Sequence, residues 1–148
     1  MAGKLKARLG VVTLGVADLP KSIRFYEALG LERRLRAAGE DIAFFQAGGG
    51  LVALYPWDKL AADAVTPDQP RPPAFRGMTL AWNCGSREEV DAAIAQAIGA
   101  GATLMKPAHD TFFGGYSGYF ADPDGHPWEV VVAPGIAVTP DGRVVLDD

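Results

Sequence analysis

Cysteine and histidine are scarce in this chain. Its 148 residues include one cysteine and two histidines. Because the single thiol, Cys84, has no partner within the chain, an internal disulfide is excluded. The two imidazoles, His109 and His126, do not form a metal-binding pair at i and i+4.

Long apolar runs and an excess of basic charge are also lacking. No stretch approaches the roughly 20 apolar residues that a membrane-spanning helix needs, and the first residues lack the apolar segment of a secretory signal. The formal net charge is −4, and the basic residues are scattered, so no surface for nucleic acid is indicated. We therefore expect a cytoplasmic protein that binds neither nucleic acid nor membrane.

The first part of the chain has the pattern of a strand, a helix and three further strands. Hydrophobic residues make up 49% of the chain, enough for the core of one domain. The β-branched segment 9–16 predicts a strand, and Asp18 and Gly30 predict the two ends of a helix. A short strand at 32–37 and a hairpin at 41–55 complete the order β-α-β-β-β.

The second half repeats this order. Residues 78–84 predict a strand, Ser86 and Glu89 a capping box that opens a helix, and residues 103–105 an extended segment before the closing hairpin GYSGYFADPDGHPWEVVV. We therefore predict an α+β fold in which two copies of one βαβββ unit form a single domain.

The boundaries of these units follow from composition. Module one covers about residues 9–56 and module two about residues 77–134. The proline-rich residues 57–76 predict a linker, and the tail 135–148 contains the turn signal TPDG, which is typical of a small hairpin.

Alternation along the first strand of each module separates two faces. One face is apolar and should lie under the helices; Cys84 falls on it, which indicates a buried, inert thiol. The other face carries small and partly polar residues, including Thr13 and Asn83, and suits the wall of a cavity. Ordinary core packing or a dimer contact is the alternative for this face.

Two motifs carry a family resemblance. VTLGVADLPKSIRFYEALGL resembles the opening of a module of the vicinal oxygen chelate superfamily, and GYSGYFADPDGHPWEV resembles its closing hairpin. This superfamily includes glyoxalase I, extradiol dioxygenases, fosfomycin-resistance proteins and bleomycin-binding proteins. The resemblance covers residues 10–134 and implies two βαβββ modules that form a cupped mixed sheet with helices on the outer face, a small-molecule ligand in the cup, and often a homodimer.

The resemblance also implies where a metal would bind. In metal-dependent members each module supplies two ligands, and the corresponding positions here are Val11, Ala53, Thr79 and Glu129. Only Glu129 has a suitable donor, because valine and alanine offer none and a threonine hydroxyl is a poor ligand for transition metals. We therefore expect no tightly bound metal and no other cofactor, and a weakly held divalent ion at Glu129 stays open.

Further residues are candidates for the ligand cavity. Alternation backwards from Glu129 across the DPDG turn predicts that Ser117 and Tyr119 share one face of the preceding strand, and in fosfomycin-resistance relatives the matching positions contact ligand. An aromatic loop beside Gly114 and Gly115 could close over a hydrophobic ligand, or its rings could pack in the core or a dimer seam. The candidate ligand-binding residues are Val11, Thr13, Ala53, Thr79, Asn83, Phe112, Phe113, Tyr116, Ser117, Tyr119 and Glu129.

The histidines have different expected roles. His126, within the turn DPDGHP, is predicted to face solvent. His109 is either an ordinary polar loop residue or a general acid or base, because imidazole exchanges protons near neutral pH.

Two functions are consistent with these residues. The first is a metal-independent protein that binds a small, largely apolar molecule, as the bleomycin-binding branch does. The second is a glyoxalase-like lyase or isomerase in which Glu129 is the general base and Tyr119 or His109 assists.

Overall fold

The computed structural model describes residues 4–64 and 75–147. In chain order its elements are β1 (Val11–Val16), α1 (Leu19–Leu29), β2 (Glu32–Arg34), a 3₁₀ turn (Arg36–Ala38), β3 (Ala43–Ala47), β4 (Gly50–Pro56), α2 (Trp57–Asp63), β5 (Leu80–Asn83), α3 (Arg87–Gly99), β6 (Thr103–Asp110), β7 (Tyr116–Ala121), β8 (Pro127–Val132), β9 (Ile136–Val138) and β10 (Val144–Leu146). Across these ranges, no helix is long and apolar enough to cross a membrane.

Two four-stranded sheets have the same topology. Their strand orders are β1-β4-β3-β2 and β5-β8-β7-β6, and β9 pairs with β10 in a separate hairpin. Within each sheet the first and last strands of the module are parallel and the other neighbours are antiparallel. The predicted α+β fold of two βαβββ modules is therefore confirmed, with β1 and β5 as edge strands of separate sheets.

Capping residues define both long helices. The Asp18 side chain accepts a hydrogen bond from the Lys21 amide at the start of α1, and Gly30 ends the helix at φ 107°. The Ser86 hydroxyl accepts from the Glu89 amide at the start of α3. The Glu89 carboxylate accepts from the Gly85 amide, one residue before the partner that a capping box predicts.

One hydrophobic core joins the two modules. The apolar faces of β1, β3 and β4 bury Leu14, Phe45 and Leu54, and those of β7 and β8 bury Phe120 and Trp128. The two helices contribute further buried side chains, among them Phe25, Tyr26, Leu29, Val90, Ala93 and Ala97. Because this cluster is continuous, the modules fold around a common interior.

Tyr26 is the residue of α1 that links the modules most directly. Its ring lies 6.1 Å from that of Phe45 in the first module and 6.0 Å from that of Trp128 in the second. Its hydroxyl donates to Asp122 Oδ2 at 2.6 Å and accepts from Trp128 Nε1 at 3.1 Å. Burial, then the charge of Asp122, raises the pKa of Tyr26 well above its ordinary value, so the hydroxyl stays a donor.

The turn between β7 and β8 is buried, and the predicted solvent-facing role of His126 is wrong. His126 is 9% exposed, and its Nε2 donates to the Gly15 carbonyl at 2.8 Å. In the neutral ring, Nδ1 therefore accepts from Arg76 Nη1, which lies 2.8 Å away. The polar composition of DPDGHP predicted the turn but gave no sign that β1 and Arg76 would cover it.

The predicted linker contains a helix. α2 occupies its first part and packs against β1 and β4, and residues 65–74 of the linker lie outside the described residues. Gly15 permits this contact, because a Cβ there would lie 2.7 Å from Trp57 Cε3. The side of the first sheet that bears Gly15 is therefore covered by α2.

Cys84 lies in the core. Its thiol is buried, and its amide donates to the Val131 carbonyl at 2.8 Å. Burial, together with the charge of Glu89, raises the pKa of the thiol to about 11. A thiol that stays protonated at neutral pH is a poor nucleophile, in keeping with the inert role predicted from the sequence.

The Tyr26→Phe substitution should destabilise the protein by about 2 kcal/mol, because it removes a hydrogen bond to a buried carboxylate and leaves Asp122 Oδ2 without this donor. Urea denaturation followed by circular dichroism measures the change. Tyr55→Phe, which removes a half-buried hydroxyl on β4, should change the free energy of unfolding by less than about 0.5 kcal/mol. Equal effects of the two substitutions would contradict the linking role of Tyr26.

Candidate functional site

Polar side chains from all four strands lie on one face of the second sheet. Strand register places Ala81, Glu129, Tyr119 and Lys106 in one row across β5, β8, β7 and β6. A neighbouring row contains Asn83, Val131, Ser117 and His109. Residues opposite each other on neighbouring strands point to the same side of a sheet. Both rows therefore lie on the face opposite the core.

Glu129 lies on this face beside Ser117 and Tyr119. Ser117, only 2% exposed, donates its hydroxyl hydrogen to Glu129 Oε2 at 3.0 Å. The two residues sit diagonally across β7 and β8, where side chains remain within reach of each other. Tyr119 lies directly opposite Glu129 on β7. The Ser117 hydrogen bond thus orients this carboxylate, with the neutral phenol of Tyr119 beside it.

Tyr119 has an altered acidity. Desolvation raises the pKa of its hydroxyl above the ordinary value, and the charge of Glu129 and the hydrogen bond to it add to the rise. A raised pKa favours the protonated phenol. Tyr119 is therefore a hydrogen-bond donor at neutral pH.

A cavity of about 470 Å³ opens over Glu129. Most of its lining is apolar, with Asn83 and Glu129 as the polar members. No lysine, arginine or histidine is among its lining residues that the structure describes. These residues are Ala81, Asn83, Phe113, Glu129, Val131, Ala133, Pro134, Ile136, Val144 and Leu146.

His109 lies on the same face as Glu129, next to Ser117 in the register. Its Nδ1 is 3.0 Å from the Pro107 carbonyl, which can only accept a hydrogen bond. Nδ1 is therefore the protonated nitrogen of the neutral ring, and Nε2 carries the free lone pair. This is the tautomer that could accept a proton from a substrate.

The aromatic loop is divided between two surfaces. Phe113 lines the cavity, and Phe112 is fully exposed with its ring 5.4 Å from that of Phe113. Tyr116 lies elsewhere, because its hydroxyl donates to Asp91 Oδ1 at 2.7 Å and Arg87 stacks over its ring. Of these three predicted residues, Phe113 is the one that lines the cavity at Glu129.

The four positions that correspond to family metal ligands lie on two separate sheets: Val11 and Ala53 on β1 and β4 of the first, Glu129 on β8 of the second, and Thr79 just before β5. Glu129 lines the 470 Å³ cavity, whereas Val11 and Thr79 are exposed and Ala53 is 0% exposed on β4. Within the described ranges, no group of three or more His, Cys, Asp or Glu residues is placed to hold a metal ion. The donor set at these positions therefore does not fit a catalytic transition metal.

Thr13 lines a different cavity. This space of about 510 Å³ lies at the junction of the modules, where Trp57, Arg76 and His126 also contribute to its wall. Val11 and Ala53 line neither this cavity nor the one at Glu129. The candidate residues of the first module (Val11, Thr13 and Ala53) therefore do not share a cavity with Glu129 of the second module.

Sequence reasoning missed the contribution of the C-terminal hairpin. Ile136, Val144 and Leu146 form one wall of the Glu129 cavity. The tail was predicted to contain a hairpin but was not connected with the site. The available signal was the alternation of apolar residues on either side of the TPDG turn, which indicates that the hairpin has a face to bury.

Comparison with solved structures supports the fold and the family. A glyoxalase-related enzyme from Fulvimarina pelagi shares 34% identity over 95% of this chain and 99% of that chain, with a TM-score of 0.83. A lactoylglutathione lyase from Agrobacterium tumefaciens shares 27% identity over 87% and 96%, with a TM-score of 0.65. A glyoxalase/bleomycin resistance protein/dioxygenase family enzyme from Burkholderia phytofirmans PsJN, at 20% identity over 86% and 99% and a TM-score of 0.75, shows the fold alone.

No curated protein matches the chain. The family model described as Glyoxalase/Bleomycin resistance protein/Dioxygenase superfamily matches residues 8–130, which include both modules through Glu129. The predicted membership of the vicinal oxygen chelate superfamily is thereby confirmed. The chain belongs to the Glyoxalase/Bleomycin resistance protein/Dioxygenase superfamily.

Proposed function

We propose that this protein binds a small, largely apolar molecule in the 470 Å³ cavity over Glu129. The observation that carries the proposal is a single oriented carboxylate at the wall of an otherwise apolar cavity. Apolar walls supply affinity through burial, and a few placed polar groups fix the orientation of the ligand. The cavity is large enough for an organic molecule.

The proposed binding does not use a tightly held metal. Three of the four family ligand positions hold Val11, Ala53 and Thr79, which cannot replace imidazole or carboxylate ligands. The remaining carboxylate already accepts a hydrogen bond from Ser117. We propose no cofactor, and a divalent ion at Glu129 would be held weakly.

The charge of Glu129 defines the polar end of the ligand. Ser117 and Tyr119 are neutral, and no cationic side chain belongs to the described lining of the cavity. The carboxylate therefore favours a ligand that presents a hydrogen-bond donor or a positive charge and disfavours an anion. Asn83 can satisfy a second polar group.

A lyase or isomerase activity of the glyoxalase type is the second candidate. It is favoured by the placement of Glu129, Tyr119 and His109 on one face of the sheet. The Glu129 carboxylate would take a proton from the substrate, and the Tyr119 phenol or the His109 ring would assist the proton transfer. A solved structure named as a lactoylglutathione lyase has a similar fold, which supports this second candidate.

We also propose that the protein is a homodimer. Apolar side chains on the described surface near the cavity are exposed, namely Phe112, Phe113, Val144 and Leu146. A second copy would remove this apolar surface from water.

A cytoplasmic location is part of the same proposal, supported by one buried thiol and the lack of any other cysteine.

Two probes that share a ring skeleton test the binding site. In the presence of EDTA, the wild-type protein should bind neutral N-phenyl-1-naphthylamine saturably and the anionic 1-anilinonaphthalene-8-sulfonate more weakly. Glu129→Gln should strengthen binding of the sulfonate by about tenfold, equivalent to about 1.4 kcal/mol, because the repelling charge is removed. Fluorescence titration measures both affinities.

Glu40→Gln is the matched control for this titration, since it makes the same chemical change on an exposed residue. It should leave both affinities unchanged. Absence of saturable binding of N-phenyl-1-naphthylamine to the wild-type protein would contradict the proposed site.

The enzymatic alternative makes a separate prediction. If Glu129 is a general base, Glu129→Gln should lower turnover by about 100-fold or more, whereas Glu40→Gln should retain it. Lactoylglutathione formation and cleavage are measured together with the metal content of the purified protein. A metal-free protein whose turnover is the same before and after the Glu129→Gln change would exclude the alternative.

The homodimer is tested by light scattering after size-exclusion chromatography. We expect a mass twice the chain mass of 15.6 kDa. Phe112→Ser should weaken the dimer because it removes a fully exposed aromatic ring from the proposed seam, whereas Leu5→Ser, an equally exposed position near the N-terminus, should not. A monomeric wild-type protein at micromolar concentration contradicts the proposal.

A further inference from the structure

A second cavity adjoins the one at Glu129. It has a volume of about 440 Å³ and lies where the edge strands β1 and β5 and the C-terminal hairpin come together. Ala81, Asn83 and Val144 line both cavities. The two cavities are therefore neighbours that share walls at the edge strand β5 and at Val144 of the hairpin.

The second cavity is apolar in character. Val12, Leu31, Val52 and Trp82 are among its walls. Two of its polar side chains already have partners on the protein, since Gln96 Nε2 donates to the Leu29 carbonyl at 2.7 Å and Glu89 Oε2 accepts from the Gly85 amide at 3.0 Å. The space is suited to a hydrocarbon chain and offers few groups to a polar one.

A hydrogen bond at the tip of the hairpin holds the hairpin across this cavity. The Gly49 amide donates to the Gly142 carbonyl at 3.2 Å, which joins the tip to the β3–β4 turn of the first module. A Cβ at Gly48 would lie 2.8 Å from the Gly142 oxygen, so a larger residue would push the tip away. At the other end, β9 lies against β5. The hairpin thus bridges the two modules over the second cavity.

This hairpin lies outside the residues that define the family. The family model ends at residue 130, and the hairpin begins at Ile136. The family core therefore supplies Glu129, and a segment beyond the core supplies the wall that both cavities share.

We propose that the C-terminal hairpin sets the length of the ligand, with Val144 as the residue that controls passage between the cavities. The ligand class is an elongated apolar amine: its ammonium group meets the Glu129 carboxylate and its hydrocarbon chain passes Val144 into the second cavity. This inference rests on the proposed binding site at Glu129 and adds the shape of the ligand to it.

Primary n-alkylamines from hexylamine to dodecylamine test the proposal by displacement of bound N-phenyl-1-naphthylamine. Wild-type affinity should rise by about fourfold for each added methylene that enters an apolar space, and the rise should continue through the longer members. Val144→Phe should remove the gain for the longer amines, so that affinity no longer rises with chain length in this variant. Val144→Ala should retain the full gain with length.

Val145 provides the matched control. It is the next residue on β10, and it lines neither cavity. Val145→Phe should leave the dependence of affinity on chain length unchanged, and circular dichroism verifies that each variant is folded.

The outcomes separate the two proposals. If hexylamine binds and Glu129→Gln weakens its binding, but wild-type affinity does not rise with chain length, the proposed site stands and the role of the hairpin is wrong. An equal loss for short and long amines in Val144→Phe also overturns that role. If the wild-type protein binds the probe but no amine displaces it, the proposed site stands and the inference about the ligand is wrong; if the probe itself does not bind, both proposals fail.

Discussion

The buried carboxylate of Asp122 is the constraint on which the arrangement of the two modules depends. Its Oδ1 accepts hydrogen bonds from the Asp124 and His126 amides at 2.9 and 2.8 Å, which closes the turn between β7 and β8. Its Oδ2 accepts from the Tyr26 hydroxyl at 2.6 Å. A carboxylate buried without such donors would cost several kcal/mol. The turn of the second module is therefore stable only where helix α1 of the first module meets it.

A second carboxylate of the same turn, Asp124, also joins the two modules. Asp124 accepts from the Ala17 amide at 2.8 Å and from the Ser22 hydroxyl at 3.1 Å, so the β1–α1 connection is held against the same turn. On the first sheet, α2 covers the side that bears Gly15. On the second sheet, the corresponding side carries Glu129 and a cavity. The two modules have the same topology but differ in what covers this side of the sheet. Because α2 covers it in the first module, the candidate site lies in the second.

Local sequence signals predicted the elements well because they act over a few residues. Asp18, Gly30 and Ser86 bound the helices as expected, and alternation placed Cys84 in the core. The misses all depend on distant parts of the chain. His126 was assigned to solvent because its turn is polar, but its partner Gly15 is 111 residues away. α2 was hidden in a proline-rich segment, and its position depends on the space that Gly15 leaves.

The sequence predicted which face of the second sheet carries the candidate site, but it did not predict all of the residues that line it. Two-residue alternation across the turn placed Ser117 and Tyr119 on the face of Glu129, where the structure also has them. The same logic could not show that Val11, Ala53 and Thr13 would be separated from Glu129, because strand periodicity fixes a face within one sheet and says nothing about the distance between sheets. Alternation likewise gave no reason to place the hairpin over β5. Contacts between elements far apart in sequence decided both points.

The partners of Glu129 determine the chemistry that its position can support. A divalent metal would neutralise the carboxylate and act as a Lewis acid. Ser117 instead orients it through a neutral hydrogen bond, and the neutral Tyr119 lies opposite it. This lowers the cost of burying the group but does not cancel its charge. The remaining negative potential extends into a cavity whose described lining contains no cation. Of the four positions that correspond to the family's metal ligands, Glu129 alone carries a carboxylate, and the proposed selection of ligands by charge and by hydrogen-bond donation follows from that group.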